Sequence, residues 1–95
     1  MLRIFATKQF KKSLQRLKRA GLLKKKTEEK LTYAVDMLAS GKKLPKPYKD
    51  HQLKGALAAY RECHLQGDLL LIYTYAQEGL VLVLVDIGSH AAVFK

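Results

Sequence analysis

The sequence predicts an α+β fold, in which an N-terminal helical hairpin packs on one face of a small antiparallel β-sheet. Two observations carry this prediction. Apolar residues recur at helical spacing in the first half of the chain, whereas residues 69–85 hold two apolar runs separated by a glycine-containing turn. The chain has 95 residues and 48% hydrophobic side chains, enough for one modest core. We therefore expect residues 1–95 to form a single domain.

The first half of the chain predicts one strand and two helices. Residues 1–6 alternate as a short strand, and Thr7 is a suitable N-cap for a helix over residues 8–20 that ends at Gly21. A second helix is predicted from Thr27, as its N-cap, to Ser40, with Gly41 following it in a left-handed conformation. Each helix has one apolar stripe, and the stripe residues are Phe10, Leu14 and Leu17, then Leu31, Ala34, Val35 and Leu38.

The second half of the chain predicts a meander of antiparallel strands. Pro45 and Pro47 exclude an α-helix and a central strand from residues 42–50. Strands are then expected within residues 53–65 and over 69–75 and 80–85, with turns at 66–68 and 77–79. A last short strand at 92–94 would complete the order β-α-α-β-β-β.

Charge is distributed unevenly along the chain. Its 18 basic and 8 acidic residues give a net charge of +10. Residues 1–50 carry 15 basic and 4 acidic side chains, net +11, and residues 51–95 carry 3 and 4, net −1. A solvated helix surface explains this pattern, and so does a polyanionic partner such as nucleic acid, a ribosome or an acidic protein.

Composition narrows the class of protein further. A single cysteine, Cys63, excludes an internal disulfide and a four-cysteine zinc site, which favours the reducing cytoplasm. Strand alternation points Cys63 away from its neighbour His64, so we interpret Cys63 as a small core residue. No apolar run approaches the ~20 residues that span a bilayer, and the N-terminus lacks the apolar region of a signal peptide.

Three histidines, His51, His64 and His90, stand near predicted strand ends or turns, and Asp68 lies in such a turn. Antiparallel strands bring these positions to one rim of a sheet. Metal binding, metal-free acid–base catalysis and unrelated surface roles are the alternatives. No HExxH or HxH spacing supports the metal.

A basic protein with an acid–base histidine set points to RNA cleavage, because the 2′-hydroxyl of RNA is an internal nucleophile beside the scissile phosphate. Arg61 is one of three basic residues in the second half, which makes it a candidate phosphate clamp or a surface strand arginine. Phe94 is a candidate for stacking on an unpaired base or for anchoring the core.

Four ordered motifs make a more specific pattern. They are YKDHQLKG at 48–55, YRECH at 60–64, DLLLIY at 68–73 and GSHAAVF at 88–94. Together they resemble the YafQ branch of the RelE-superfamily toxins, which are ribonucleases of bacterial toxin–antitoxin systems. The resemblance covers the whole chain in element order and the last 48 residues at motif level. It implies a small antiparallel sheet with two helices on one face, in agreement with the pattern of apolar residues.

The resemblance implies metal-independent cleavage of mRNA in the ribosomal A site, without a cofactor. The implied catalytic residues are His51, His64, Asp68 and His90. His90 would be the leading general acid or base, His51 and His64 would support proton transfer and phosphate binding, and Asp68 would orient a histidine or share the base role. The implied substrate-binding residues are Arg61, Phe94, Lys49 and Lys54.

The implied partners are mRNA, the ribosome and an acidic antitoxin, with no membrane. The basic helices would contact ribosomal RNA through Lys11, Lys12, Lys18, Arg19, Lys24, Lys25 and Lys26. The free toxin is expected to be a monomer in the cytoplasm, and the neutralised toxin part of a hetero-oligomer with its antitoxin.

Two departures from the family pattern remove polar or cationic groups near the implied site. Residues 56–59 read Ala-Leu-Ala-Ala where the family commonly has an aromatic and a basic residue, and Asp86 stands where many members have arginine. They motivate an alternative, an attenuated or non-catalytic module that binds RNA and an antitoxin and contributes to autoregulation. The implied acid–base residues are all present, which favours the enzyme.

Overall fold

The computed structural model describes residues 1–94. Three helices and a five-stranded mixed sheet confirm the predicted α+β class. The elements are β1 (Arg3–Ala6), α1 (Lys8–Arg19), α2 (Lys25–Ala39), β2 (His51–Gln52), β3 (Arg61–Gln66), β4 (Leu69–Ala76), β5 (Val81–Ser89) and α3 (His90–Val93), with short 3-10 turns at Lys46–Tyr48 and Gly55–Leu57.

The strand order across the sheet is β1-β5-β4-β3-β2. Strands β3, β4 and β5 form the predicted antiparallel meander, and β2 adds a short antiparallel strand that was not predicted. Strand β1 pairs in parallel with the first half of β5, from Arg3 opposite Val81 to Ala6 opposite Leu84. The sheet is therefore mixed and not wholly antiparallel. Because β1 ends opposite Leu84, residues 85–89 of β5 have no strand on that side.

Both long helices bury their apolar stripes against one face of the sheet. Phe10 from α1 and Leu31, Ala34 and Leu38 from α2 join one core cluster with side chains of β3, β4 and β5. Leu14, Leu17 and Val35 are partly buried against that cluster. The helical hairpin therefore covers one face of the sheet, as the spacing predicts.

The helix ends confirm some predicted caps and correct one. The Thr7 hydroxyl accepts a hydrogen bond from the Phe10 N–H at 3.0 Å, so Thr7 is the N-cap of α1. Gly21 and Gly41 follow α1 and α2 with φ of +72° and +73°. The predicted N-cap at Thr27 is wrong, because α2 begins at Lys25 and Thr27 is buried inside its first turn.

The C-terminal end corrects two further predictions. Strand β5 extends to Ser89, beyond the predicted end at Val85, and Val85 is accommodated opposite the Ile72–Tyr73 step as a bulge. The predicted strand at 92–94 is wrong, because the chain turns into helix α3. The Ser89 hydroxyl caps α3 by accepting from the Ala92 N–H at 3.2 Å.

Candidate active site

The predicted site residues lie at the end of the sheet where β3 and β4 meet in a turn. His51 opens β2 opposite Glu62, and His64 lies two residues further along β3. His64 pairs with Leu70 of β4, which in turn pairs with Gly88 of β5, and His90 follows directly after β5. The topology therefore brings all three histidines to one end of the sheet.

His51 and His64 share the carboxylate of Glu62. The Nε2 atoms of the two histidines lie 3.3 and 3.5 Å from the same oxygen, Oε1. The ring centroids are 6.5 Å apart. Only 9% of the Glu62 side chain is exposed, against 51% for His51 and 33% for His64. The arrangement is a buried carboxylate with two imidazoles facing solvent around it.

One hydrogen bond orients the His51 ring. Its Nδ1 atom lies 2.7 Å from the Lys49 carbonyl oxygen, which can only accept, so Nδ1 carries a hydrogen. Nε2 then faces the Glu62 carboxylate. We call His51, Glu62 and His64 together the histidine–glutamate cluster.

Glu62 is the residue that sequence reasoning missed. Its signal was present, because residues i and i+2 of a strand share a face and Glu62 stands two before His64. The pairing with His51 had no such signal. It depends on β2, a strand of only two residues directly after the proline-containing linker, which is too short to be recognised from the sequence.

His90 lies in a second group, with Phe94 and Asp68. The His90 and Phe94 rings are 4.8 Å apart between centroids, at adjacent turns of α3. One Asp68 carboxylate oxygen lies 3.4 Å from the His90 backbone N–H. Asp68 therefore contacts the main chain at the start of α3 and not an imidazole.

Strand β4 lies between His64 in β3 and the end of β5, which His90 follows. Two strand spacings of about 4.8 Å each separate the backbones of His64 and Gly88. Within residues 1–94 no aromatic contact or ion pair joins His51 or His64 to His90. The predicted rim is therefore two separate clusters at one end of the sheet.

Arg61 is already engaged by groups of the protein. Its Nε–H donates to the Tyr73 hydroxyl at 3.1 Å, and its guanidinium lies 3.4 Å from Asp50 Oδ2. The Tyr73 hydroxyl in turn donates to Asp50 Oδ1. The hydrogen bond to Tyr73 and the Asp50 carboxylate raise the pKa of Arg61 above its ordinary value. This network holds Asp50 directly before His51, so Arg61 anchors the β2 segment.

The other substrate-binding candidates are exposed. Lys49 has a left-handed φ of +47°, and its carbonyl group accepts from His51. Lys54 precedes the turn at Gly55–Leu57, where the alanine-rich departure from the family pattern lies.

All seven predicted docking cations of the helical half are exposed, namely Lys11, Lys12, Lys18, Arg19, Lys24, Lys25 and Lys26. On α1 a shallow depression of about 200 Å³ is lined by Lys12, Gln15, Arg16 and Arg19. No helix of residues 1–94 is long and apolar enough to cross a bilayer.

Two other residues have settled structural positions. Cys63 is fully buried, and burial raises the pKa of its thiol to about 12, so it belongs to the core as predicted. Asp86 Oδ1 accepts from the Ser13 hydroxyl at 2.6 Å and from the Ile87 N–H at 2.8 Å.

Comparisons with known sequences identify the family. Residues 2–95 match the family model described as "Bacterial toxin of type II toxin-antitoxin system, YafQ". The mRNA interferase toxin YafQ of Escherichia coli K12 is 37% identical over 70 residues, which are 73% of this chain and 74% of that protein. A YafQ relative from Haemophilus influenzae is 50% identical over 42 residues, or 44% of this chain and 41% of that protein.

Solved structures agree with these matches. A metal-bound toxin from Helicobacter pylori superposes with a TM-score of 0.85 at 42% identity, over 99% of this chain and 100% of that chain. YafQ from E. coli BL21(DE3) gives 0.84 at 29% identity, and the E. coli DinJ–YafQ complex gives 0.82 at 30%, each over 100% of both chains. The chain therefore belongs to the YafQ family of toxins from type II toxin–antitoxin systems.

Proposed function

We propose that this toxin is a metal-independent, ribosome-dependent endoribonuclease that cleaves mRNA in the A site and so inhibits translation. The proposal is supported by the YafQ family membership and by the E. coli relatives, which are named mRNA interferases. The observation that carries it is that His51, Glu62 and His64 form one cluster at the same end of the sheet as the end of β5, which His90 follows.

The proposed chemistry needs two proton transfers. His90 takes the proton of the RNA 2′-hydroxyl, whose oxygen attacks the adjacent phosphorus while the bond from phosphorus to the 5′-oxygen breaks. The histidine–glutamate cluster supplies a proton to that leaving oxygen, with His51 or His64 as the general acid. The products are a 2′,3′-cyclic phosphate and a 5′-hydroxyl. Asp68 fixes the main chain at His90, and Phe94 stacks beside the reacting nucleotide.

The exposed cations of the site and of the helices bind the RNA in this proposal. Lys49 and Lys54, which stand on either side of His51 in the sequence, contact the mRNA backbone. The seven cations of the helical half dock on ribosomal RNA. Arg61 contributes indirectly, since its guanidinium is paired with Asp50 and holds the segment that carries His51.

Metal is not part of the proposed mechanism. A Helicobacter pylori relative was solved with a bound metal. In this chain the Nε2 atoms of His51 and His64 both face one oxygen of Glu62, and no three His, Cys, Asp or Glu side chains of residues 1–94 form a group that could hold a metal ion. We therefore derive no step through a metal.

The proposed partner in the neutralised state is an acidic antitoxin, by analogy with the E. coli complex of DinJ and YafQ. In this proposal the toxin is a cytoplasmic monomer when free and part of a hetero-oligomer when bound. The net charge of +10 favours an acidic partner.

An in vitro translation assay tests the proposal, with mRNA 5′ ends mapped by primer extension. Wild type should create new ends inside translated codons, with and without a strong chelator. His90→Ala should abolish them, and His64→Gln should reduce them without changing thermal stability. A large loss of stability in His64→Gln would instead mark His64 as structural.

A second candidate is an attenuated toxin that binds RNA and antitoxin without cleavage. The alanine-rich residues 56–59 and the engaged Arg61 favour it, because both lower the number of free cations near the site. Folded wild-type protein that binds ribosomes and leaves mRNA intact would establish this candidate over the first.

A further inference from the structure

The end of β1 leaves a cavity in the edge of the sheet. Residues 85–89 of β5 extend beyond β1, and α1 and α3 lie on either side of them. The cavity between these elements has a volume of about 410 Å³, within the ~300–1,000 Å³ of small-molecule sites. Its apolar walls include Leu17 of α1, Ile87 of β5 and Val93 of α3.

Asp86 gives this cavity an oriented acceptor. Its Oδ1 atom accepts two hydrogen bonds, from the Ser13 hydroxyl and from the Ile87 N–H. Each carboxylate oxygen has two lone pairs, so Oδ1 is saturated and Oδ2 is left to accept from a ligand. Because the N–H and C=O of a strand residue point to the same side, the Ile87 carbonyl faces the open edge as well.

A cationic surface adjoins the cavity. Arg16 lines both the cavity and the shallow depression on α1 that also contains Lys12 and Arg19. A ligand that fills both would place a planar, hydrogen-donating group between apolar walls and an anionic group on three cations. A nucleotide has this combination of groups.

We propose that this cavity binds one nucleotide of an RNA strand, with an amino-bearing base beside Asp86 and its phosphate on Arg16. The inference rests on the proposed function, since it adds a base-selective subsite to the RNA-cleaving site. Adenine, cytosine and guanine each carry an exocyclic amino group that can donate to Oδ2. Where cytosine has its amino group, uracil presents a carbonyl oxygen, which faces the carboxylate unfavourably, and the N3–H donor of uracil lies between two carbonyl oxygens.

The structure also bears on the competing ligand, a basic side chain of a partner protein. A lysine or arginine would satisfy Asp86 but would approach past Arg16, Lys12 and Arg19, which repel it. A nucleotide satisfies both the acceptor and the cations. The cavity therefore favours RNA.

Binding of mononucleotides to the wild-type protein tests the subsite without turnover, because a mononucleotide has no phosphodiester bond to cleave. Titration of ¹⁵N-labelled protein with CMP and UMP should shift the amides of Ile87, Gly88 and Ser89, with CMP about tenfold tighter, as for one hydrogen bond to a charged acceptor. Asp86→Asn should abolish or reverse this preference, since its amide can donate to a uracil carbonyl. Arg16→Gln should weaken both nucleotides alike.

Three outcomes would overturn the inference. They are equal binding of CMP and UMP, shifts confined to residues outside the cavity, and displacement of bound CMP by acetyl-arginine amide at lower concentration. These results are independent of the cleavage assay, which decides the proposed function. CMP selectivity in a protein that cleaves no mRNA would support the subsite while refuting the ribonuclease.

Discussion

Removing one hydroxyl group from the core tests how the sheet anchors the segment that carries His51. Tyr73 is 1% exposed, and its hydroxyl joins Asp50 to Arg61. Tyr73→Phe keeps the ring that fills the core and deletes only this oxygen. The Arg61–Asp50 ion pair at 3.4 Å remains, so neither charge is left alone. The variant therefore isolates the two hydrogen bonds of the hydroxyl.

The expected loss at neutral pH is about 2 kcal/mol of unfolding free energy. A hydrogen bond to a charged group contributes roughly 1.5–3 kcal/mol, and the two bonds share one oxygen and one partly surviving network. Urea denaturation followed by circular dichroism measures the difference. An unchanged m-value would assign that difference to stability and not to a change in compactness.

The difference should shrink at high pH. Burial, and then the bond donated to Asp50, raise the pKa of Tyr73 above its ordinary value of 10.0. A raised pKa stabilises the folded state fully below the unfolded-state value, and this contribution is lost as pH rises above it. Above pH 10 the wild type therefore loses about 1.4 kcal/mol per pH unit that the variant keeps. The two stabilities should converge within one to two pH units.

Tyr33→Phe is the matched control, because Tyr33 is 43% exposed and its loss of a hydroxyl should change stability little. Equal stability of Tyr73→Phe and wild type at neutral pH would refute the network argument. So would a difference that stays constant to high pH, since Tyr73 would then titrate alike in both states. In the cleavage assay Tyr73→Phe should reduce turnover, because Asp50 precedes His51.

Three further changes test other parts of the molecule. Iodoacetamide at mildly alkaline pH should spare Cys63 in the folded protein, because burial raises the pKa of its thiol to about 12, and should modify it in concentrated guanidinium chloride. Rapid labelling of the folded protein, detected by mass spectrometry, would contradict this. Ser89→Ala removes the N-cap of α3 and should lower the free energy of unfolding by about 1 kcal/mol, with less cleavage measured by primer extension. The control Ser40→Ala, at an exposed serine after α2, should leave cleavage unchanged. Reversal of Lys11, Lys12, Lys18 and Arg19 to glutamate should weaken ribosome binding and its salt dependence in sedimentation assays; unchanged binding would show that α1 is not the docking face.

Local signals predicted most of the fold. The start of α1 at Thr7 and the ends of both helices before Gly21 and Gly41 lie where the sequence predicts them. These signals are local, because a cap or a glycine with positive φ acts over a few residues. The parallel pairing of β1 with β5 was not predictable in this way, since it joins residues about eighty positions apart and leaves no local pattern. The bulge at Val85 was not predictable for the same reason, because it depends on the pairing of β5 with β4.

The candidate site, too, was predictable where the signal is local and not where it depends on distant segments. Strand ends predicted that the three histidines gather at one end of the sheet, and the structure places them there. Their catalytic role stays a prediction from the motifs. The role of Arg61 could not be inferred, because Tyr73 and Asp50 reach it from other segments. The pairing of Glu62 with His51 could not be inferred either, because His51 lies in a strand of only two residues.

Charges of the two signs are separated between the end of the sheet and the helices. Three of the four acidic residues after position 51, Glu62, Asp68 and Asp86, contact groups at the end of the sheet, whereas the cations concentrate on the helices. In the proposed function, carboxylates near the site oppose the attraction of RNA by charge, and the cations of the helices supply that attraction. We therefore expect substitutions on the helices to change KM and salt dependence, and substitutions at the candidate site to change kcat.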